Sequence, residues 1–371
     1  MKQISFAQSA PYSLGVELEF QVLDTQTLDM TPKAIEMLAV FPPPENGHVA
    51  REFLQSLFEV QTGICASVNE AEQDLRHIVE IAEDVARQCG CVLFASGIHP
   101  FALPEHQKVT ENERYLRIMS ELQHVGRQFI SQGLHVHVGM NDRETAVKVC
   151  DVIQAYLPLL LALSASSPYF TGDDTGFYSY RTKLFEVLPL AGIGEYLGDW
   201  ESYENMVKML LEAGVIQDTC DLWWDVRPSP YFGTIEIRIC DMPSFFPDIM
   251  ALSALIQALA VYIAEEEFPR QRINPQLLRH NKWQAARHGL QGRFNDPFFH
   301  FSDTQLTIGD SVLQMLRSLE PVMMRLDSDR WAKRIRHILE RGSSTDRQRE
   351  LVRGLGSHKD MIAKLQSEFW S

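Results

Sequence analysis

Four short segments place ionisable side chains among apolar β-formers in a repeating way. They are Gly15-Val16-Glu17-Leu18-Glu19-Phe20, Phe58-Glu59-Val60-Gln61-Thr62, His135-Val136-His137-Val138-Gly139 and Thr234-Ile235-Glu236-Ile237-Arg238-Ile239. Strand side chains alternate between faces. One face of the implied sheet is therefore apolar, with Val16, Leu18, Phe20, Val60, Val136, Val138, Ile235, Ile237 and Ile239. The other collects Glu17, Glu19, Glu59, His135, His137, Glu236 and Arg238. A solvated sheet face usually mixes Lys, Thr, Ser and Glu. Carboxylates, imidazoles and a guanidinium instead are groups that bind hard cations and phosphate.

Glu17 and Glu19 project from one face, roughly 7 Å apart by strand geometry. Two buried like charges at that range repel, and a divalent cation removes the conflict. His135 and His137 repeat the spacing, which suggests a metal without naming it. In Glu236-Ile237-Arg238, one residue suits a ligand and the other a phosphate clamp, because Arg makes bidentate oxyanion contacts. Each piece alone also fits a wet sheet face, a hydrogen-bonded histidine pair or a same-face ion pair. Their coincidence favours a shared site. Carboxylate-rich ligation without a cysteine set points to Mg²⁺ or Mn²⁺ rather than Zn²⁺. Several such cations beside an Arg suggest nucleotide phosphates. No G-x-x-x-x-G-K-[ST] loop is present, so ATP is not expected on a P-loop.

These residues need elements to hold them. A first strand is expected over about 13–23, strands over about 48–53 and 56–64, a strand at 91–96, and the His-x-His strand within 128–140. Strands at about 219–226 and 234–239 flank the turn Pro228-Ser229-Pro230-Tyr231-Phe232-Gly233. Ser67-Val68-Asn69-Glu70 is a capping-box signature opening a helix to about Gln88. Its Leu75, Ile78, Val79, Ala82 and Val85 recur at helical spacing. A short helix is expected to start at Thr31-Pro32 and run through Val40, and further helices are expected at about 111–122 and 200–213. A long apolar helix over 143–166 is expected to kink at Pro158. From Ser244 the chain reads as helical to its end. This order predicts one α+β unit spanning 1–371, with helices packed on the apolar sheet face.

Composition limits the alternatives. The 371 residues carry a formal net charge of −15, which argues against nucleic acid or an anionic membrane as the main partner. Met1–Gln8 lacks an apolar stretch typical of a signal peptide. The apolar run from Tyr156 to Ala165 contains Pro158 and is too short for a membrane span. The six scattered cysteines read as reduced and structural, and the protein as cytoplasmic. Homo-oligomerisation is left open.

The ordered segments resemble those of the glutamine synthetase and glutamate–cysteine ligase superfamily. In particular the chain is similar to the second type of bacterial glutamate–cysteine ligase, a group of carboxylate–amine ligases. The similarity runs from about Ser13 to Arg287. It rests on the four segments above together with Gly63, Gly133-Leu134, Tyr178-Ser179-Tyr180-Arg181 and Trp223-Trp224-Asp225-Val226-Arg227-Pro228.

The resemblance implies a curved antiparallel sheet forming a funnel. ATP enters at one end and small amino-acid and amine substrates at the other, with Mg²⁺ between. It implies Glu17, Glu19, Glu59, His135 and Glu236 as metal ligands, and His137 near the nucleotide phosphates. Arg227 and Arg238 would bind the transferring phosphoryl group, and Arg181 a substrate carboxylate. Asn281 and Arg287 lie in a similar segment with open roles. The implied reaction forms an acyl phosphate from a carboxylate and ATP, then an amide from an amine. Three other readings remain at this stage: a metal-dependent amidohydrolase using His135 and His137, an ATP-dependent phosphotransferase of the same superfamily, and a binding or regulatory protein with a degenerate site. The acid and amine are not legible.

Overall fold

A computed structural model describes residues 4–302 and 304–371. Met1–Gln3, part of the N-terminal stretch considered above, lie outside the described residues. The main sheet has seven strands: β1 (Leu14–Asp24), β2 (Val49–Arg51), β3 (Leu57–Gln61), β4 (Cys91–Phe94), β5 (Leu134–Gly139), β6 (Val226–Ser229) and β7 (Thr234–Ile237). Their order is β6-β7-β5-β1-β3-β2, and β4 pairs with the far end of β1. Every pairing in this sheet is antiparallel. The long β1 is the organiser, because Gln21 alone pairs with Leu57 on one edge and Phe94 on the other.

The register brings the ionisable residues together. Glu17 lies opposite His135, Glu19 opposite Glu59, and Glu236 opposite both His137 and Arg227. Directly opposed residues share a sheet face, so one period-2 pattern on four strands becomes one patch. The other face is buried through Val16, Leu18, Val60, Val136, Val138, Ile235 and Ile237. Helix Val68–Gln88 covers β1 and β3, helix Phe246–Glu265 covers β5, and helix Arg143–Ile153 covers β6 and β7. Fully burying one such aliphatic side chain contributes about 1.5–3 kcal/mol, and this is what fixes the faces.

Several expectations change in detail. The 143–166 segment is two helices, Arg143–Ile153 and Leu157–Ser164, bent by 67°. The break precedes Pro158, whose ring excludes the carbonyl four residues earlier. The longest apolar helix is Phe246–Glu265, not the 156–165 run. Its length and composition would suit a membrane span, yet 89% of its apolar window is buried against the protein. The expected strand over 219–226 begins as a 3₁₀ turn at Thr219–Asp221, because Asp218 accepts the Cys220 N–H and curls the chain. Among the described residues after Ser244 the chain is mostly helical, interrupted by a loop at 266–274 and by a small hairpin pairing Arg293–Phe294 with Leu306–Thr307. At Ser67 the cap is half of the expected box. Ser67 Oγ accepts the Glu70 N–H, but the Glu70 carboxylate takes the Ala66 N–H instead of that of Ser67.

Candidate active site

Glu17 is the centre of the patch. His135 Nδ1 lies 3.2 Å from Glu17 Oε2, and His137 Nε2 lies 3.3 Å from Glu17 Oε1. Burial pushes the Glu17 carboxyl up, but the hydrogen bonds from His135 and then His137 outweigh it and hold it well below the usual range. His137 is oriented by Thr234, whose Oγ1 lies 2.9 Å from Nδ1. Burial lowers the His137 pKa, yet Glu236 and Glu17 raise it more, so its net shift is upward.

Glu236 is gripped by two guanidiniums. Arg227 donates through Nε at 2.7 Å and Nη2 at 3.2 Å, and Arg238 donates through Nη1. Burial raises the Glu236 pKa, but Arg227, Arg238 and His137 together hold it well below normal. The free half of Arg227 is also fixed, with Nη1 donating to the Cys220 and Leu222 carbonyls at 3.0 and 2.9 Å.

A second cluster joins Glu19, Glu59 and Glu52, whose oxygens lie within 4.8 Å of one another. Burial, then the charges of Glu52 and Glu17, push the Glu59 pKa well above normal. Burial also raises Glu19, against the pull of His135. His135 Nε2 is buried without a hydrogen-bond partner and sits 3.8 Å from Glu19 Oε1. Three converging carboxylates in mutual repulsion, beside an orphaned imidazole nitrogen, fit a hard divalent cation in both charge and donor type. Glu17, His135 and Glu236 form another such group, although Glu236 is already neutralised by two arginines.

Glu52 escaped the sequence reading because it stands alone after β2, without a partner two residues away. The buried ion pair of Lys282 with Asp225, 2.6 Å long, was also missed, since its members are far apart in sequence. It steadies the strand end where the Arg238 N–H meets the Asp225 carbonyl.

Arg181 is 3% exposed, with its guanidinium donating to the Arg238 and Ile239 carbonyls, and it lines a small crevice with Trp223 and Arg238. Gly133 makes room for it: a Cβ there would sit 2.5 Å from Arg181 Nη2. The same Gly133 donates its N–H to Glu19 Oε2 at 2.5 Å. Asn281 and Arg287 serve local structure. Asn281 exchanges hydrogen bonds with the Asn295 backbone, and Arg287 donates to the Gly176 carbonyl while facing Phe177.

Two chambers meet at Glu17. One, of about 230 Å³, is lined by Glu19, Glu52, Glu59, Arg227 and Arg238, with an apolar far wall that includes Phe53, Phe129 and Trp223. The other, of about 270 Å³, lies between Gly15, Thr62, Ile64, His137 and Phe232. The N-terminal segment forms one rim of this second chamber through Ser9 and Ser13. Gly233 permits its close passage, since a Cβ there would lie 2.2 Å from the Ala7 carbonyl oxygen.

The antiparallel sheet thus presents a carboxylate, imidazole and guanidinium face to two chambers, a donor set suited to hard cations and phosphate. The sequence profile of glutamate–cysteine ligase family 2 matches residues 13–363. A protein from Gloeobacter violaceus, provisionally named glutamate–cysteine ligase 2, is 38% identical over 370 residues, covering 98% of each chain. One of the same provisional name from Solibacter usitatus is 35% identical, covering 94% of this chain and 91% of its own. Among solved structures, the glutamate–cysteine ligase of Francisella tularensis in complex with AMP superimposes with a TM-score of 0.72 at 13% identity. The match covers 99% of this chain and 90% of that one. The bifunctional glutathione synthetase of Pasteurella multocida also gives 0.72 at 16% identity, covering 96% of this chain and 52% of that one. The chain belongs to glutamate–cysteine ligase family 2, and it is a ligase. A parallel-barrel amidohydrolase is not supported, because the histidine-bearing strand lies in an antiparallel sheet.

Proposed function

We propose that this enzyme is an ATP-dependent carboxylate–amine ligase that forms an amide through an acyl phosphate, with glutamate as the reference acid and cysteine as the reference amine. The observation that carries the reading is the meeting of two chambers at Glu17, with the arginine pair on one side and His137 on the other. The less charged chamber, walled by Ile64 and Phe232, suits the base and ribose of ATP, and AMP bound to the Francisella tularensis ligase supports a nucleotide on this fold. The carboxylate chamber suits the acid and the amine.

In the first step, a carboxylate oxygen of the acid bonds to the γ-phosphorus of ATP, and ADP leaves with the electrons of the cleaved P–O bond. Charge spreads over the transferring group, and arginines aimed there stabilise it more than they stabilise bound ATP. Arg227 and Arg238 take this role, and Arg181 supports it by holding the Arg238 carbonyl. In the second step the amine bonds to the acyl carbon, phosphate leaves with the electrons of the cleaved C–O bond, and the nitrogen gives up a proton to solvent. Glu17, Glu19, Glu52, Glu59 and His135 would hold Mg²⁺ or Mn²⁺. Such a cation would neutralise phosphate charge and the clustered carboxylates.

A mass-spectrometric screen of acids and amines with ATP and Mg²⁺ tests the reading. A product of acid plus amine minus water, formed with stoichiometric ADP, supports it. A stable phosphorylated acid as the end product would favour the phosphotransferase instead.

A further inference from the structure

Helix Glu113–Arg127 covers the carboxylate chamber but is barely anchored. Of its fifteen residues only Gly126 is buried. Its apolar stripe, Tyr115, Ile118 and Leu122, faces the chamber rather than a packed core. Its last turns are interrupted at Gln123, whose φ of 49° lies in the left-handed region. Segments with so few buried contacts open at low free-energy cost.

Its ties on one side run to a single turn. Arg114 donates to Asp221 Oδ1 through Nε at 3.3 Å and Nη2 at 3.2 Å, and Arg117 Nη2 donates to Oδ2 at 3.4 Å. Arg114 Nη2 also donates to the Cys220 carbonyl at 3.1 Å. Asp221 itself is 7% exposed and is held by the Gln217 N–H at 2.9 Å. The same turn holds Arg227, through the Cys220 and Leu222 carbonyls. One carbonyl, that of Cys220, therefore accepts from the covering helix and from the arginine that grips Glu236.

We propose that Asp221 is a positioning residue that couples closure of helix 113–127 over the substrate chamber to the placement of Arg227. For the role of Arg227 this rests on the ligase reading; the coupling itself rests on the hydrogen bonds above. When the helix lifts, Asp221 loses both guanidiniums and the 220–222 turn loses its outer support. Arg227 then keeps Glu236 but loses the two carbonyls that aim its other half. The phosphoryl clamp is complete only when the chamber is covered. An acyl phosphate is then made where water is excluded, which protects it from hydrolysis before the amine attacks.

Hydrogen exchange on the full chain without ligand, compared between wild type, Asp221→Asn and Arg114→Gln, tests the coupling without relying on activity. Arg114→Gln cuts the same link from the exposed side and guards against misfolding of the Asp221 variant. Both variants should exchange faster in 113–127 and also in 222–229, by about tenfold, the scale of a lost hydrogen bond to a charged group. The β1 strand should be unchanged. Faster exchange confined to 113–127, or to neither segment, overturns the coupling. In turnover assays, Asp221→Asn should lower kcat by about tenfold while the KM for ATP stays within about twofold, and Asp221→Glu should recover part of the loss. The double variant Arg114→Gln/Asp221→Asn should be no worse than either single one, because both cut one link. Additive losses, or a rise in KM alone, also overturn it. A wild-type enzyme that consumes no ATP with any acid would sink the ligase reading, while the exchange experiment would still decide the coupling.

Discussion

Arg227 and Glu236 face each other across the β6–β7 pairing, and the guanidinium holds the carboxylate through two nitrogens, at 2.7 and 3.2 Å. Arg238, just past the end of the strand that carries Glu236, adds a third donor. A carboxylate with this much positive charge around it is a poor ligand for a cation unless an arginine is drawn away. Incoming phosphate is the group that would draw it. On the ligase reading proposed above, Glu236 would hold both arginines until ATP binds.

For Arg238, the expected result is a selective loss of turnover. On the ligase reading, Arg238→Ala should lower kcat far more than it raises the KM for ATP, because the guanidinium would act on charge that develops in the transition state. Arg238→Lys should recover only part, since it keeps the charge but loses the planar fork. Steady-state kinetics with Mn²⁺ titration of the nucleotide-free protein checks this. Normal kcat with a large fall in Mn²⁺ affinity would mean that Arg238 only orients Glu236.

Glu59 provides a pH test. Its folded pKa lies well above the unfolded value, raised by burial and by Glu52 and Glu17. The folded state therefore binds its proton more tightly, and stability from this group falls as pH rises from the unfolded pKa toward the folded one. In chelator, Glu59→Gln should melt like wild type near pH 4 and higher than wild type at pH 8. With millimolar Mg²⁺ at pH 8 the order should reverse, because wild type gains a ligand-bound state. Melting curves in EDTA and in Mg²⁺ at both pH values decide it; a variant less stable than wild type at pH 8 in EDTA removes the repulsion argument.

The two faces of β1 should respond oppositely. Leu18 is fully buried on the helix-covered face, and Leu18→Ala should cost about 2–5 kcal/mol of stability. Its neighbour Glu17 should tolerate Glu17→Gln in folding but lose at least about a hundredfold in turnover, the scale of one preorganised electrostatic contact. Denaturant melts and kcat for both variants check the contrast. Near-normal turnover in Glu17→Gln would return that face to an ordinary solvated role.

Local alternation made the sheet legible. Val16, Leu18, Val136, Ile235 and Ile237 announce one face by their spacing, and Glu17, Glu19, His135, His137 and Glu236 announce the other. Pairing partners were not legible, because register depends on contacts between strands far apart in the chain. Glu52 and the Asp225–Lys282 pair were hidden for the same reason: neither carries a local period. The short structure at Thr219–Asp221 was masked by side chains that favour strands, while a single Asp218 cap decided the backbone. Arg181 was recognisable by its position in the sequence, but the carbonyls its guanidinium meets, those of Arg238 and Ile239, lie on a segment far along the chain and were not legible.

The acyl phosphate is tested most directly by following oxygen. Glutamate labelled with ¹⁸O in its γ-carboxylate is supplied with ATP, Mg²⁺ and a reactive amine such as hydroxylamine, and the released phosphate is analysed by mass spectrometry. If the carboxylate attacks the γ-phosphorus, one labelled oxygen appears in phosphate for each amide formed. Amide formation with unlabelled phosphate, or with the label in AMP, would contradict the central claim.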